Sequence, residues 1–219
     1  MRVYLDNAAT TPLDPEVFGA MKPFLLEDFG NPSSTHAHGR KVRAAIESAR
    51  KRIAELLNCT PGEIIFTSGG TEADNALILG AIHTYNIKHA LTTPIEHHAV
   101  KHTLELLHGQ GVIEVHHVSL NEKGHVDLVH LEKLLQQYPN ALVALMHANN
   151  EIGNLLDLQR TSELTDHYKV YFQSDTVQTM GHYRHNMKEL LVSGITAGAH
   201  KFHGPKGVGF MYIRKDKKI

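Results

Sequence analysis

The residues best suited to chemistry sit in short polar clusters between apolar runs, and the last cluster is centred on a lysine. Lys201 lies in Ala199-His200-Lys201-Phe202-His203-Gly204-Pro205-Lys206-Gly207. The stretch Ser193 to Ala197 leads into it and a Gly/Pro-rich turn leads out. A lysine at a strand end, braced by a tight turn, has little freedom. Partial desolvation lowers its ammonium pKa, and such a lysine can form a Schiff base with an aldehyde. Taken alone, a solvated loop lysine is the simpler reading.

Four other clusters change that reading. Ser68-Gly69-Gly70-Thr71 falls between a strand pattern and a helix start. Glycines let backbone N–H groups approach an anion there, and the helix dipole favours phosphate. It is neither a P-loop nor a dinucleotide fingerprint, and a turn with an N-cap explains it equally well. Glu96-His97-His98 offers an imidazole that could stack on a ring or move a proton, or simply cap a helix. Asn149-Asn150-Glu151-Ile152-Gly153 offers amides for a ligand oxygen. Asp175-Thr176-Val177-Gln178 offers an acid that, if buried, needs a cationic partner. A protonated pyridine nitrogen is such a partner. An anion cradle, a ring-stacker, an amide, an acid and a lysine together fit pyridoxal 5′-phosphate.

The elements that must position these groups alternate along the chain. Asp14-Pro15-Glu16 predicts a helix start, running to about Leu26. Val42, Ala45, Ile46, Ala49, Ile53 and Leu56 recur at helical spacing and predict a helix over 40–58. Strands are expected at 63–67, 89–93, 112–119, 141–148, 170–174, 194–199 and 208–213. Helices are expected at 72–85, 97–107, 127–137 and 161–167. This alternation implies an α/β layered fold with a mostly parallel seven-stranded sheet flanked by helices, read as one domain over 1–219. In such sheets ligands bind beyond the carboxyl ends of the strands, where the polar clusters fall.

Composition narrows the partners. The formal net charge is −1, which gives no reason to expect nucleic acid or an anionic membrane surface. No apolar run is long enough for a membrane span and no signal peptide is evident, so a cytoplasmic protein is expected. The 18 histidines are scattered without a metal-ligand spacing, so no metal site is expected. The single cysteine, Cys59, excludes an intrachain disulfide. It follows a helix with no base beside it, and reads as a half-buried helix-end residue rather than a nucleophile.

The motifs also resemble a known family. Leu5-Asp6-Asn7-Ala8-Ala9-Thr10-Thr11-Pro12, Gly30-Asn31-Pro32-Ser33-Ser34, Thr67 to Asn75, Glu96 to Val100, Asn149 to Gly153 and His200 to Gly207 are similar to those of the NifS/IscS cysteine desulfurases. The SufS-type loops read differently. The resemblance runs through the whole chain and implies a fold-type I pyridoxal phosphate enzyme. Lys201 would hold the cofactor and move the Cα proton. His97 would stack on the ring and assist proton transfer, and Asp175 would pair with the pyridine nitrogen. Asn150 and Gln178 would contact the ring oxygen region, and Gly70, Thr71 and His200 would hold the phosphate. The implied reaction converts L-cysteine to L-alanine, leaving sulfur as an enzyme persulfide for iron–sulfur cluster assembly. A homodimer and a sulfur acceptor, such as an iron–sulfur scaffold protein, are implied as partners.

Two departures stand out. Family members carry a serine as a phosphate ligand where this chain has Gly198; Thr196, on the same strand face, is the hydroxyl expected to compensate in part. The family also continues past the lysine with an Arg-Ser-Gly-Thr segment, a loop bearing the persulfide cysteine and a small C-terminal domain. The sequence in hand ends at Ile219. The expectation is therefore a cofactor-binding large domain that does not sustain desulfuration alone. The rival expectations are a non-catalytic scaffold that keeps the fold, and another fold-type I lyase or transaminase.

Overall fold

The computed structural model describes residues 1–219. Its elements follow the chain as α1 (Pro15–Leu26), α2 (Ala37–Leu57), β1 (Ile64–Thr67), α3 (Gly70–Tyr85), β2 (His89–Thr92), α4 (His98–Gly109), β3 (Glu114–His117), α5 (Leu128–Gln137), β4 (Ala141–Ala144), α6 (Leu158–His167), β5 (Tyr171–Asp175), β6 (Gly194–Gly198) and β7 (Gly209–Ile213). All seven expected strands and six expected helices are present. The sheet order is β1-β7-β6-β5-β4-β2-β3. Strands β3, β2, β4, β5 and β6 pair in parallel, and β7 runs antiparallel to both β6 and β1.

Side-chain alternation sorts the core onto two faces. In β4, Val143 joins Leu131, Leu135 and Leu158 from α5 and α6, with Ala54 and Leu57 from α2. Its neighbours Leu142 and Ala144 join Ile78, Ala81, Val100 and Leu104 from α3 and α4. The sheet is thus covered on both sides. That is why its central strands read as continuous apolar runs rather than alternating ones.

Differences from the sequence expectation lie at element ends and have local causes. Helix α2 starts at Ala37, three residues early, because the His36 side chain caps it by accepting from Gly39 N–H. Helix α6 starts at Leu158 because Asp157 accepts from Arg160 N–H. Strand β4 stops at Ala144, not Ala148. The chain past it keeps single contacts, such as His147 N–H to the Asp175 carbonyl at 2.9 Å, then turns through Asn149. Helix α1 buries none of its residues, leaving Phe18, Phe24, Leu25 and Leu26 exposed.

Candidate active site

Five strand ends bring the polar clusters together at one rim of the sheet. β1 ends at the Ser68-Gly69 turn that opens α3, and β2 leads to His97 at the start of α4. β4 leads to Asn149-Asn150, β5 ends on Asp175, and β6 ends at Gly198, one short turn before Lys201. One cavity of about 250 Å³ is lined by all eight residues singled out in the sequence: Gly70, Thr71, His97, Asn150, Asp175, Gln178, His200 and Lys201. Ala9, Asp74, Met146 and Val177 complete its wall.

Lys201 is half-buried. Its Nζ donates to the carbonyls of Ala8 and, at 3.0 Å, Ala9, almost the whole chain away in sequence. The amino-terminal segment is pinned there by further contacts. Thr11 N–H and Oγ1 both reach the His200 carbonyl, and Gln178 Nε2 donates to the Ala8 carbonyl at 2.9 Å. Burial lowers the Lys201 pKa below its ordinary value, against the pull of Asp175 and Asp6. The direction favours a reactive amine.

Asp175 is buried, and its Oδ1 accepts from Val177 N–H at 2.9 Å. Burial raises its pKa, while that N–H, His97 and Lys201 oppose the rise. Two other buried acids lie close by. Asp74, on the core face of α3, accepts from Gln173 Nε2 at 2.6 Å and Thr196 Oγ1 at 3.0 Å, and its Oδ2 has no partner. Burial, then the charge of Asp175, pushes Asp74 far above the carboxylate range. Glu96 accepts from Thr93 Oγ1 at 2.8 Å, and burial raises it to about 8. Like charges this close cannot all ionise in a dry interior. Of the three, Asp175 is the acid whose rise the neighbouring Lys201 opposes, so it is the one placed to carry the site's negative charge.

His97 fulfils both of its sequence readings. It is the N-cap of α4, with Nδ1 accepting from Ala99 N–H at 3.2 Å, and its ring also lines the cavity. The cap fixes the proton on Nε2. The paired amides divide their work. Asn149 is buried and holds its own loop through Ile95, Glu151 and Ile152, while Asn150 faces the cavity.

The Gly69-Gly70 turn is shaped for an anion. Helix α3 begins without a side-chain cap, so its first N–H groups are free to meet a ligand. A Cβ at Gly70 would lie 2.5 Å from Val177 Cγ2, so glycine is needed for the close approach. His200 stands beside the turn with Nδ1 3.1 Å from Thr10 Oγ1. Burial, with Lys201 and Lys206 adding to it, lowers the His200 pKa. A low-pKa lysine, a buried acid beside it, an imidazole in the same cavity wall and an uncapped helix start fit a phosphorylated pyridine aldehyde.

One expectation is corrected. Thr196 does not stand in for the missing serine at Gly198. It is fully buried, and its hydroxyl is committed to Asp74. Sequence reasoning also missed Asp74 and Glu96 as site-shaping acids. The signal for Asp74 was an acid in register with Leu77, Ile78 and Ala81 on the apolar face of a helix. Cys59 keeps its structural reading. It packs on the core below α2, lines a different cavity and has its thiol raised to about 11 by burial and by Glu63.

Comparison with known proteins gives a consistent result. A family model described as Aminotransferase class-V matches residues 3–218. The cysteine desulfurase IscS of Dictyoglomus turgidum is 48% identical over 219 residues, 99% of this chain and 55% of that protein. The IscS of Methanosarcina thermophila is 42% identical, over 99% of this chain and 54% of its own length. The chain thus spans about half the length of the curated relatives it matches. Among solved structures, a NifS-like protein superposes with a TM-score of 0.95 at 38% identity, covering all of this chain and 61% of that one. A structure described as SspA in complex with cysteine gives 0.91 at 29% identity, covering 98% and 62%.

Proposed function

The chain belongs to the class-V aminotransferase family, and on that premise we propose that its Lys201 cavity holds pyridoxal 5′-phosphate and serves a cysteine desulfurase reaction on L-cysteine. The observation that carries the reading is the convergence of Lys201, Asp175, His97 and the uncapped start of α3 on one cavity. The bound cofactor supplies an electron sink for the charge left when an amino acid loses its Cα proton.

The residues then have separable tasks. The N–H groups of Gly70 and Thr71, with His200, hold the phosphate. Asp175, buried at the end of β5 with Lys201 nearby, would pair with the pyridine nitrogen. The His97 ring, and the amides of Asn150 and Gln178, line the same cavity and would contact the ring and its oxygen. Lys201 would hold the aldehyde through its amine, and its half-buried Nζ is the base placed to move a substrate's Cα proton. Cys59 is not the sulfur acceptor in this reading, because it lies outside the cavity with a poorly nucleophilic thiol.

Residues 1–219 form the cofactor-binding large domain in this proposal, and the protein works as a cytoplasmic homodimer that passes sulfur to an iron–sulfur scaffold or similar acceptor. Support for a partner surface comes from α1, whose exposed Phe18, Phe24, Leu25 and Leu26 would be unusual on an isolated subunit. No helix is long and apolar enough to cross a membrane.

The test is an absorption titration with pyridoxal 5′-phosphate, followed by L-cysteine or L-alanine. A cofactor band that responds to cysteine supports the assignment. A band indifferent to cysteine but moved by another amino acid favours a different lyase or transaminase, and absence of a band favours the scaffold. A further prediction concerns Gly198. Its backbone is extended (φ −125°, ψ 116°), and an added Cβ would meet Gly70 N, Val177 Cγ1 and His200 Cδ2 at 3.6, 3.6 and 3.7 Å, ordinary contact distances. Gly198→Ser is therefore accommodated beside the anion cradle. One hydroxyl bond to a charged phosphate is worth about 1.5–3 kcal/mol, so the variant binds the cofactor roughly tenfold or more tightly. An unchanged or weaker Kd in the same titration would reject this.

A further inference from the structure

The outer edge of the sheet, formed by β2 and β3, carries a second cluster of chemical groups. Parallel pairing sets His89 opposite Glu114 and Leu91 opposite His116. Residues 114 and 116 share a face because side chains alternate, and His89 shares that face by register. His89 Nδ1 lies 3.2 Å from His116 Nε2, and Glu114 Oε2 lies 3.6 Å from the first and 3.8 Å from the second.

We propose that His89, Glu114 and His116 form a site for Zn²⁺ or a similar borderline divalent metal, tying edge strand β3 to β2. The three donor atoms make a triangle with sides of 3.2, 3.6 and 3.8 Å. Tetrahedral zinc, with bonds of about 2.0–2.2 Å to nitrogen and oxygen, places its ligands about 3.3–3.6 Å apart. The triangle therefore matches one face of that tetrahedron with only small adjustments. Two imidazoles and a carboxylate are also the donor set zinc takes with three protein ligands.

The imidazoles are held in place before any metal arrives. Tyr138, at the end of α5, stacks on His116 with ring centroids 4.0 Å apart and planes 15° apart, and tilts against His89 at 4.5 Å. Packing of this kind fixes rotamers and lowers the ordering cost of binding. A groove of about 290 Å³, lined by His89, Glu114 and His108, gives access for a fourth ligand such as water. The site is separate from the Lys201 cavity and shares no lining residue with it. It does not depend on the proposed desulfurase reading.

The experiment is a calorimetric titration of chelator-treated protein with Zn²⁺, paired with thermal unfolding with and without the metal. The expected result is one equivalent bound per chain and a rise in Tm that chelator reverses. Glu114→Gln is the mildest variant, because Glu114 is largely exposed. It and His89→Gln/His116→Gln should each weaken this binding by more than the ~10–100-fold that loss of an outer partner costs, while circular dichroism stays unchanged. Equal affinity and stoichiometry in wild type and the double variant would place the metal on other histidines and overturn the proposal. So would the absence of stoichiometric binding to the wild type, which leaves a plain His–His hydrogen bond beside a carboxylate.

Discussion

Lys201→Ala abolishes the covalent attachment of pyridoxal 5′-phosphate. In the parent protein, borohydride reduction followed by peptide mass mapping places the cofactor on the peptide containing Lys201; in the variant no peptide carries it. The reason is positional. The cavity holds no other lysine among its lining residues, so no neighbouring amine can take over the bond. Lys206, the next lysine along, is exposed and lies beyond the Gly204-Pro205 turn. The fold should survive the change, because Lys201 is half-buried and its side-chain hydrogen bonds are confined to the Ala8 and Ala9 carbonyls. Attachment to another lysine in the variant, or none at Lys201 in the parent, would sink the assignment.

Glu96→Gln flattens the pH dependence of stability on the alkaline side. Glu96 is buried, and its pKa rises from 4.5 to about 8, chiefly through desolvation. The folded protein therefore keeps a proton that the unfolded chain gives up above about pH 4.5. Stability contributed by that proton is fully present below 4.5 and is lost progressively as pH rises to about 8. At 1.36 kcal/mol per unit the loss approaches ~5 kcal/mol. Glutamine cannot ionise, and its amide oxygen can still accept from Thr93 Oγ1. Asp74 and Asp175 titrate in both proteins, so the difference between the two stability curves reports Glu96 together with its coupling to them. Denaturant unfolding at several pH values from 5 to 9 measures it. The variant should gain on the parent up to about pH 8 and then hold level, and parallel curves from pH 5 upward would show that Glu96 is ionised in the fold.

These two predictions rest on different kinds of information. Lys201 was visible in the sequence because its signals are local: an apolar strand, a turn rich in glycine and proline, and a lysine between them. The same holds for Gly70, where side-chain periodicity changes from two to 3.6, and for Asp175, which ends an apolar strand. Local chemistry also set the number of strands and helices, since apolar spacing and capping residues act within a few positions. Where a cap was overlooked, as at His36 and Asp157, the boundary moved by three residues.

Glu96 and Asp74 were not legible in this way. Their behaviour depends on what packs around them, and an acidic side chain in a sequence does not reveal whether it is solvated. Only the tertiary structure buries them beside Asp175 and thereby raises and couples the titration of all three carboxyls. It also decides that β7 runs against its neighbours, that Ala8 and Ala9 reach Lys201, and that Thr196 serves Asp74 rather than a ligand. The histidines carry the same lesson. His89 and His116 lie too far apart in sequence to suggest a ligand pair, and strand register brings their nitrogens to 3.2 Å. The sequence by itself determined the chemistry available at each strand end, because that depends on residue type and short-range backbone preference. The tertiary structure decided which of those groups meet and which remain ionised, because contact and desolvation are properties of packing across the whole chain.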